Sequence, residues 1–212
     1  MIKKLCLLLI LSIVPIVAAT HVIPEDLQKE QRQLEKAFHA NPNSADTRFE
    51  LAMSYAYTGW IQLGWDILKT IPKYDPHYET TALPKYTAMV QQDPTNWKYH
   101  FKLAFAYYFN DEKDNALNSF KTVTKLNPKN PWGFAFMALL EGENKHYDKV
   151  ISICKHALTL EPNATAIHFL QGEAYRQKGS YFKMLRKSIT VINLKAAEAK
   201  YRPTPFTDAI KE

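Results

Sequence analysis

Proline recurs in this chain at a fixed interval, and that interval limits the folds open to it. Pro42 to Pro76, Pro94 to Pro128 and Pro128 to Pro162 are each 34 residues apart. Proline lacks a backbone N–H and biases the preceding residue away from the α region, so it ends helices. Each of these prolines closes a short motif, "ANP", "YDP", "QDP", "LNP" or "LEP". After "LEP" the helical apolar pattern begins again at "NATAIHF". A repeat of this length is the mark of stacked helix–turn–helix units.

Composition agrees with an all-α chain. The 212 residues are 46% hydrophobic and 23% charged, a globular balance, and only six are glycine. Strand-type alternation is scarce. When each unit is numbered so that its proline takes place 32, the other places align. Place 8 holds Ala52, Ala104, Ala138 and Gly172, and place 11 holds Tyr55, Tyr107, Glu141 and Tyr175. Place 27, on the second helix, holds Ile71, Val123, Ala157 and Val191. A small residue lets two antiparallel helices approach to roughly 8–10 Å, and a large one nearby fills the wedge between units.

On these residues the chain resembles the tetratricopeptide repeat family, with "LAFAYYFNDEKDNALNSFKTVTKLNP" at 103–128 the best match. The resemblance implies a right-handed superhelical stack of antiparallel helix pairs. Full units are expected at 45–78, 97–130, 131–164 and 165–198. A lone helix is expected within 20–44, where Leu34 and Ala37 stand at second-helix spacing from Pro42. Another is expected at 82–92 within 79–96, with Pro84 in its first turn, where proline is tolerated. The total is about ten helices, and 199–212 is a tail. The fourth unit departs from the pattern with Met184 at place 20 and Ala196 at place 32, as a terminal capping unit does.

The first 19 residues form a separate signal. Lys3 and Lys4 precede an apolar run, and Val17-Ala18-Ala19 suits cleavage before Thr20. The run from 5 to 19 is 15 residues, shorter than the ~20 of a membrane-spanning helix. The expectation is export to the periplasm or outside the cell, with membrane attachment only if the leader is retained. Its removal takes formal charge from +6 to 6 − 2 = +4 and leaves Cys154 as the one thiol of two. A single thiol forms no internal disulfide, so packing alone must hold the domain together.

No catalytic constellation is evident. The sequence has no glycine-rich phosphate loop, no G-x-S-x-G elbow and no H-E-x-x-H pair, and its seven histidines are scattered. No cofactor or metal is expected, and Cys154 at place 24 reads as a buried structural thiol. Asn163-Ala164-Thr165 fits a glycosylation acceptor, which matters only in a eukaryotic secretory pathway.

By resemblance, places 2, 5, 9, 12 and 13 of each first helix line a concave groove that binds an extended or helical segment. From these places the expected partner-binding residues are Phe49, Met53, Tyr57, Lys98, Phe101, Phe105, Tyr108, Phe109, Trp132 and Arg176. Family members that clamp a C-terminal carboxylate use lysine, arginine and asparagine there, and this chain lacks that set. Aromatics on helix faces are more often core than binding anchors, and the helix at 82–92 could itself lie in the groove. Tyr57, Tyr108 and Trp132 are expected to stay reachable, while Phe101 and Phe105 remain open between the two roles. From 165 to 212 nine Lys/Arg face four Asp/Glu, including "KMLRK", so an anionic partner or a solvated cap is implied. No feature favours nucleic acid. The reading is a non-enzymatic protein-binding adaptor of the envelope or secretory space; the alternative is a carrier of an apolar small molecule or lipid in an aromatic hollow.

Overall fold

The computed structural model describes residues 23–198; the leader at 1–19 and the tail at 199–212 lie outside the described residues. All regular structure within them is helical. In chain order the helices are α1 (Glu25–Ala40), α2 (Ala45–Thr58), α3 (Ile61–Leu68), α4 (Ile71–Tyr74), α5 (Tyr78–Gln92) and α6 (Trp97–Phe109). There follow α7 (Lys113–Leu126), α8 (Pro131–Glu143), α9 (Tyr147–Leu160), α10 (Thr165–Gln177) and α11 (Tyr181–Glu198). Pairs α2–α3, α6–α7, α8–α9 and α10–α11 pack side by side, and α7–α8 and α9–α10 join successive pairs. No helix among the described residues is long and apolar enough to cross a membrane.

The turn that follows each repeat proline also starts the next helix. Two residues after Pro42, Ser44 accepts a hydrogen bond from Thr47 N, and two after Pro94, Asn96 accepts one from Lys98 N. Two after Pro128, Asn130 accepts from Trp132 N and Gly133 N. These caps satisfy donors that a helix start leaves unpaired. The other turn, between the helices of a pair, needs a left-handed residue at place 15. Gly59 and Gly179 supply it, and so do Asp111 and Lys145 at φ 59° and 61°.

Two helices differ from expectation. The second helix of the first unit breaks after Leu68 and resumes as the four-residue α4, because Pro72 offers no N–H to the Leu68 carbonyl and crowds it. Arg48 fixes the break, donating to Thr70 Oγ1 at 2.7 Å and lying 4.1 Å over the Tyr74 ring. The inserted helix α5 begins at Tyr78, so Pro84 lies inside it and not in its first turn. Tyr78 is anchored there by Phe49, 5.5 Å between ring centroids, and by donating to Asp46 Oδ1 at 2.8 Å. In α1, Leu27 and Phe38 enter the core and Leu34 packs against it, while Ala37 is exposed.

The core is centred on α2. Every residue from 51 to 58 is buried, an arrangement that one helix pair cannot produce. Helix α3 comes close on one side, where a Cβ on Gly64 would lie 2.8 Å from the Ala52 carbonyl. Helix α1 covers another side, with Tyr55 and Tyr57 donating to Glu35 and Glu30. Helix α5 stacks Tyr86 on Phe49 at 5.1 Å. The remaining side of α2 lies against α6 and α8.

Candidate partner-docking site

The expected groove residues fall into three groups. Phe49, Met53, Tyr57, Phe101, Phe105 and Trp132 are buried. Lys98 and Tyr108 are half-buried and engaged within the chain. Phe109 and Arg176 lie at the surface.

The chain itself fills the trough of the second and third units. The Tyr57 ring meets Trp97 and Phe101 edge-on at 5.2 and 5.5 Å, and Asn130 Nδ2 donates to the Tyr57 carbonyl at 3.0 Å. Lys98 pairs with Glu30 on α1, and Lys102 pairs with Glu50 on α2. Phe101 and Phe105 join Phe120 and Phe136 in one aromatic cluster, with Phe105 and Phe136 4.9 Å apart. The expectation that Tyr57 and Trp132 stay reachable is therefore corrected. Tyr57 lies under α1 and against α6, and Trp132 belongs to the core shared by α8, α9 and α10. Only the edge of the aromatic set reaches solvent: Tyr108 donates to Glu143 at 2.8 Å, with Phe109 beside it.

The open surface is at the other end of the stack. Between α10 and α11 lies a hollow of about 290 Å³, walled by Phe169, Met184, Val191 and Ile192 and floored by His168, Gly172 and Lys187. Place 5 shows why it is open. Phe101 and Ala135 at this place are 0% and 5% exposed: Tyr57 of α2 and Phe136 of α8 lie against Phe101, and α10 packs on α8, which carries Ala135. Phe169 at the same place is 62% exposed, since no further helix follows α11 among the described residues.

The electrostatics of the hollow are built from a few contacts. Lys187 Nζ lies 3.1 Å from His168 Nδ1, and His168 Nε2 lies 2.8 Å from the Pro162 carbonyl. A lysine ammonium can only donate, so Nδ1 is the acceptor and Nε2 carries the proton. Burial lowers the pKa of His168 despite the Pro162 contact, and burial together with Arg186 lowers that of Lys187. On the rim, Arg176 donates to Glu173 through Nε and Nη2 at 2.8 and 2.5 Å, and these bonds hold the Glu173 carboxyl down at about 2. Cys154, beneath this end, is buried, and its thiol is pushed up to about 12 by burial. No cluster of metal-ligating side chains occurs among the described residues.

On α11, Phe182, Leu185, Ile189 and Ile192 are all exposed and spaced three, four and three residues apart. Two of them carry a signal visible in the repeat alignment. Place 18 is aspartate in the two preceding units (Asp114, Asp148) and place 25 is lysine (Lys121, Lys155), yet here they are Phe182 and Ile189.

No family model matches the sequence, and no curated protein matches it. Solved structures do. One, "Crystal structure of MamA protein", aligns with a TM-score of 0.54 at 20% identity, covering 84% of this chain and 88% of that one. A second, "Crystal structure of MamA", aligns with a TM-score of 0.50 at 20% identity, covering 83% and 92%. At such identity the shared property is the fold: an all-α, tetratricopeptide-like succession of antiparallel helix pairs.

Proposed function

We propose that this chain is a non-enzymatic scaffold of the envelope or secretory space that docks a partner protein on the α10–α11 end of its helix stack. The carrying observation is the exposure of Phe169 at a place that the two preceding units bury. Protein partnership is in keeping with the tetratricopeptide-like fold, and the leader-like segment at 1–19 supports export. The trough of the second and third units is a poor alternative, because α2 already occupies it. The rival reading, a carrier of an apolar molecule, calls for an enclosing pocket of roughly 300–1,000 Å³. The hollow here is about 290 Å³ and is lined only by α10 and α11.

Photo-crosslinking in the native host tests the site. A crosslinking residue at position 185 should yield a discrete protein adduct, and one at the exposed Lys121 should not. Phe169→Ala should weaken binding of the partner so identified by about 2 kcal/mol, the scale of an interface anchor. No adduct at 185, or equal adducts at both positions, would reject the reading. N-terminal sequencing of the mature chain tests export, with Thr20 expected first.

A further inference from the structure

A terminal helix pair of a solenoid ordinarily turns a polar face outward. The pair α10–α11, the last among the described residues, does not. Leu185 and Ile192 are 54% and 65% exposed at places 21 and 28, where the preceding unit packs Ile151 and Leu158 against its neighbours. Phe182 and Ile189, at 75% and 50%, extend these two into one stripe along α11. Phe169 on α10 and Ile192 on α11, across the hollow, form the two walls of a slot. Inside the stack the same slot receives a 13-residue helix each time: α8 lies against α7, and α10 against α9 and α8. Close contact there is real, since a Cβ on Gly133 of α8 would lie 2.8 Å from Val123 Cγ1. Val191 holds the same place as Val123 and lines the open slot.

Charge narrows the occupant. From Tyr181 to Lys195, α11 carries Lys183, Arg186, Lys187 and Lys195 and no carboxylate. The nearby acids are already used: Glu173 by Arg176, and Asp148 by Lys178. A second copy fits from neither end. Its α11 is equally basic, and the exposed side chains of α1, among them Glu25, Asp26, Lys29, Arg32 and Lys36, include no large apolar group to fill the slot. A flat lipid surface could cover the stripe but would leave the recessed slot unfilled.

We propose that the α10–α11 slot receives an amphipathic helix of a partner protein, apolar on one face and acidic along its flanks, seated where a fifth unit would begin. This rests on the scaffold reading above and names the chemistry of its partner. Apolar residues at i, i+3, i+4 and i+7 of that helix cover Phe169, Leu185 and Ile192, and its carboxylates face Lys183, Arg186 and Lys195.

The probes are two synthetic peptides of about 18 residues, long enough for appreciable helicity. Both carry the same leucine stripe, one with glutamate flanks and the other with lysine. Binding to the full chain is read by fluorescence anisotropy. The glutamate peptide should bind at least roughly tenfold tighter, with affinity falling as salt is raised. The double variant Leu185→Ser/Ile192→Ser should lose at least roughly tenfold of that affinity. Both positions are exposed, so its circular dichroism and melting should match the parent. Equal binding of the two peptides, or an unchanged double variant, overturns the proposal. So does any sign of another occupant: phosphatidylglycerol vesicles that bind the parent alone, a dimer that the double variant dissociates, or an internal crosslink from 185 to 199–212. If the peptides fail while the adduct at 185 to another protein persists, the helix chemistry falls and the scaffold reading stands.

Discussion

Glu141 stands at place 11, where the other three units carry tyrosine, and it is buried. Phe136 stacks on Phe120 at 5.6 Å and 15°, filling the wedge from another place. The Glu141 carboxylate lies 2.5 Å from His146 Nδ1 and 3.4 Å from Lys149 Nζ. Burial pushes this carboxyl up, but the hydrogen bonds from His146 and Lys149 outweigh it, and the net result lies below the ordinary value. A carboxyl held down in the folded state stabilises above its unfolded pKa, and that contribution is lost as pH falls through the folded one. Glu141→Ala should therefore cost about 1.5–3 kcal/mol at neutral pH, the scale of a charged hydrogen bond. In urea melts the gap between variant and parent should close in acid. A gap that is constant with pH would assign the cost to packing alone.

At the scale of elements, the decisive feature is α2 seated in the trough that a partner peptide was expected to enter. The inserted α5 and helix α1 clamp it there, and one polar junction ties α5 and α6 to it. Glu50 of α2 accepts from Tyr86 of α5 at 2.9 Å and pairs with Lys102 of α6, whose side chain is nearly buried. Removing one member of a buried pair leaves the other charged and poorly solvated. Lys102→Met should cost about 2–4 kcal/mol, less than a fully dry pair because Glu50 keeps some solvent contact. Tyr86→Phe, which removes the hydrogen bond to Glu50 and the longer contact with the Tyr78 hydroxyl and keeps the ring on Phe49, should cost about 1–2 kcal/mol. The denaturation midpoint should fall in both without a change in m-value. A shift under about 0.5 kcal/mol for Lys102→Met would show that aromatic packing alone seats α2.

Across the whole molecule, burial is graded along the chain. One continuous core runs from α1 to α8, a second cluster joins α8, α9 and α10, and in α11 Leu194 is buried. Local opening follows burial, so amide exchange should be slowest in α2 and fastest in α11. Uniform protection from α2 to α11 would contradict this gradient. The partner helix proposed for the α10–α11 slot should raise protection in α11 first, because ligand binding stabilises the segment it covers. The buried Cys154 thiol adds packing to this end but no crosslink.

The all-α class, the helix pairs and the turns between them were legible in the residues alone. Proline, the caps two residues beyond it and the small residues at place 8 act through covalent geometry over a few positions, so their spacing carries the information. The break at Pro72 was legible by the same rule, although the period drew attention to other prolines. The exposed stripe on α11 left a trace too, since Phe182 and Ile189 stand where earlier units place aspartate and lysine. What the residues could not reveal is which apolar surface meets which. A helical stripe such as Phe101, Phe105 and Phe109 has the same spacing whether it faces a partner protein or another part of its own chain. That choice depends on how one inserted helix, α5, turns the first unit back over the second and third. Such contacts join residues tens of positions apart, and only the assembled packing decided that the trough is full and the end of the stack is open.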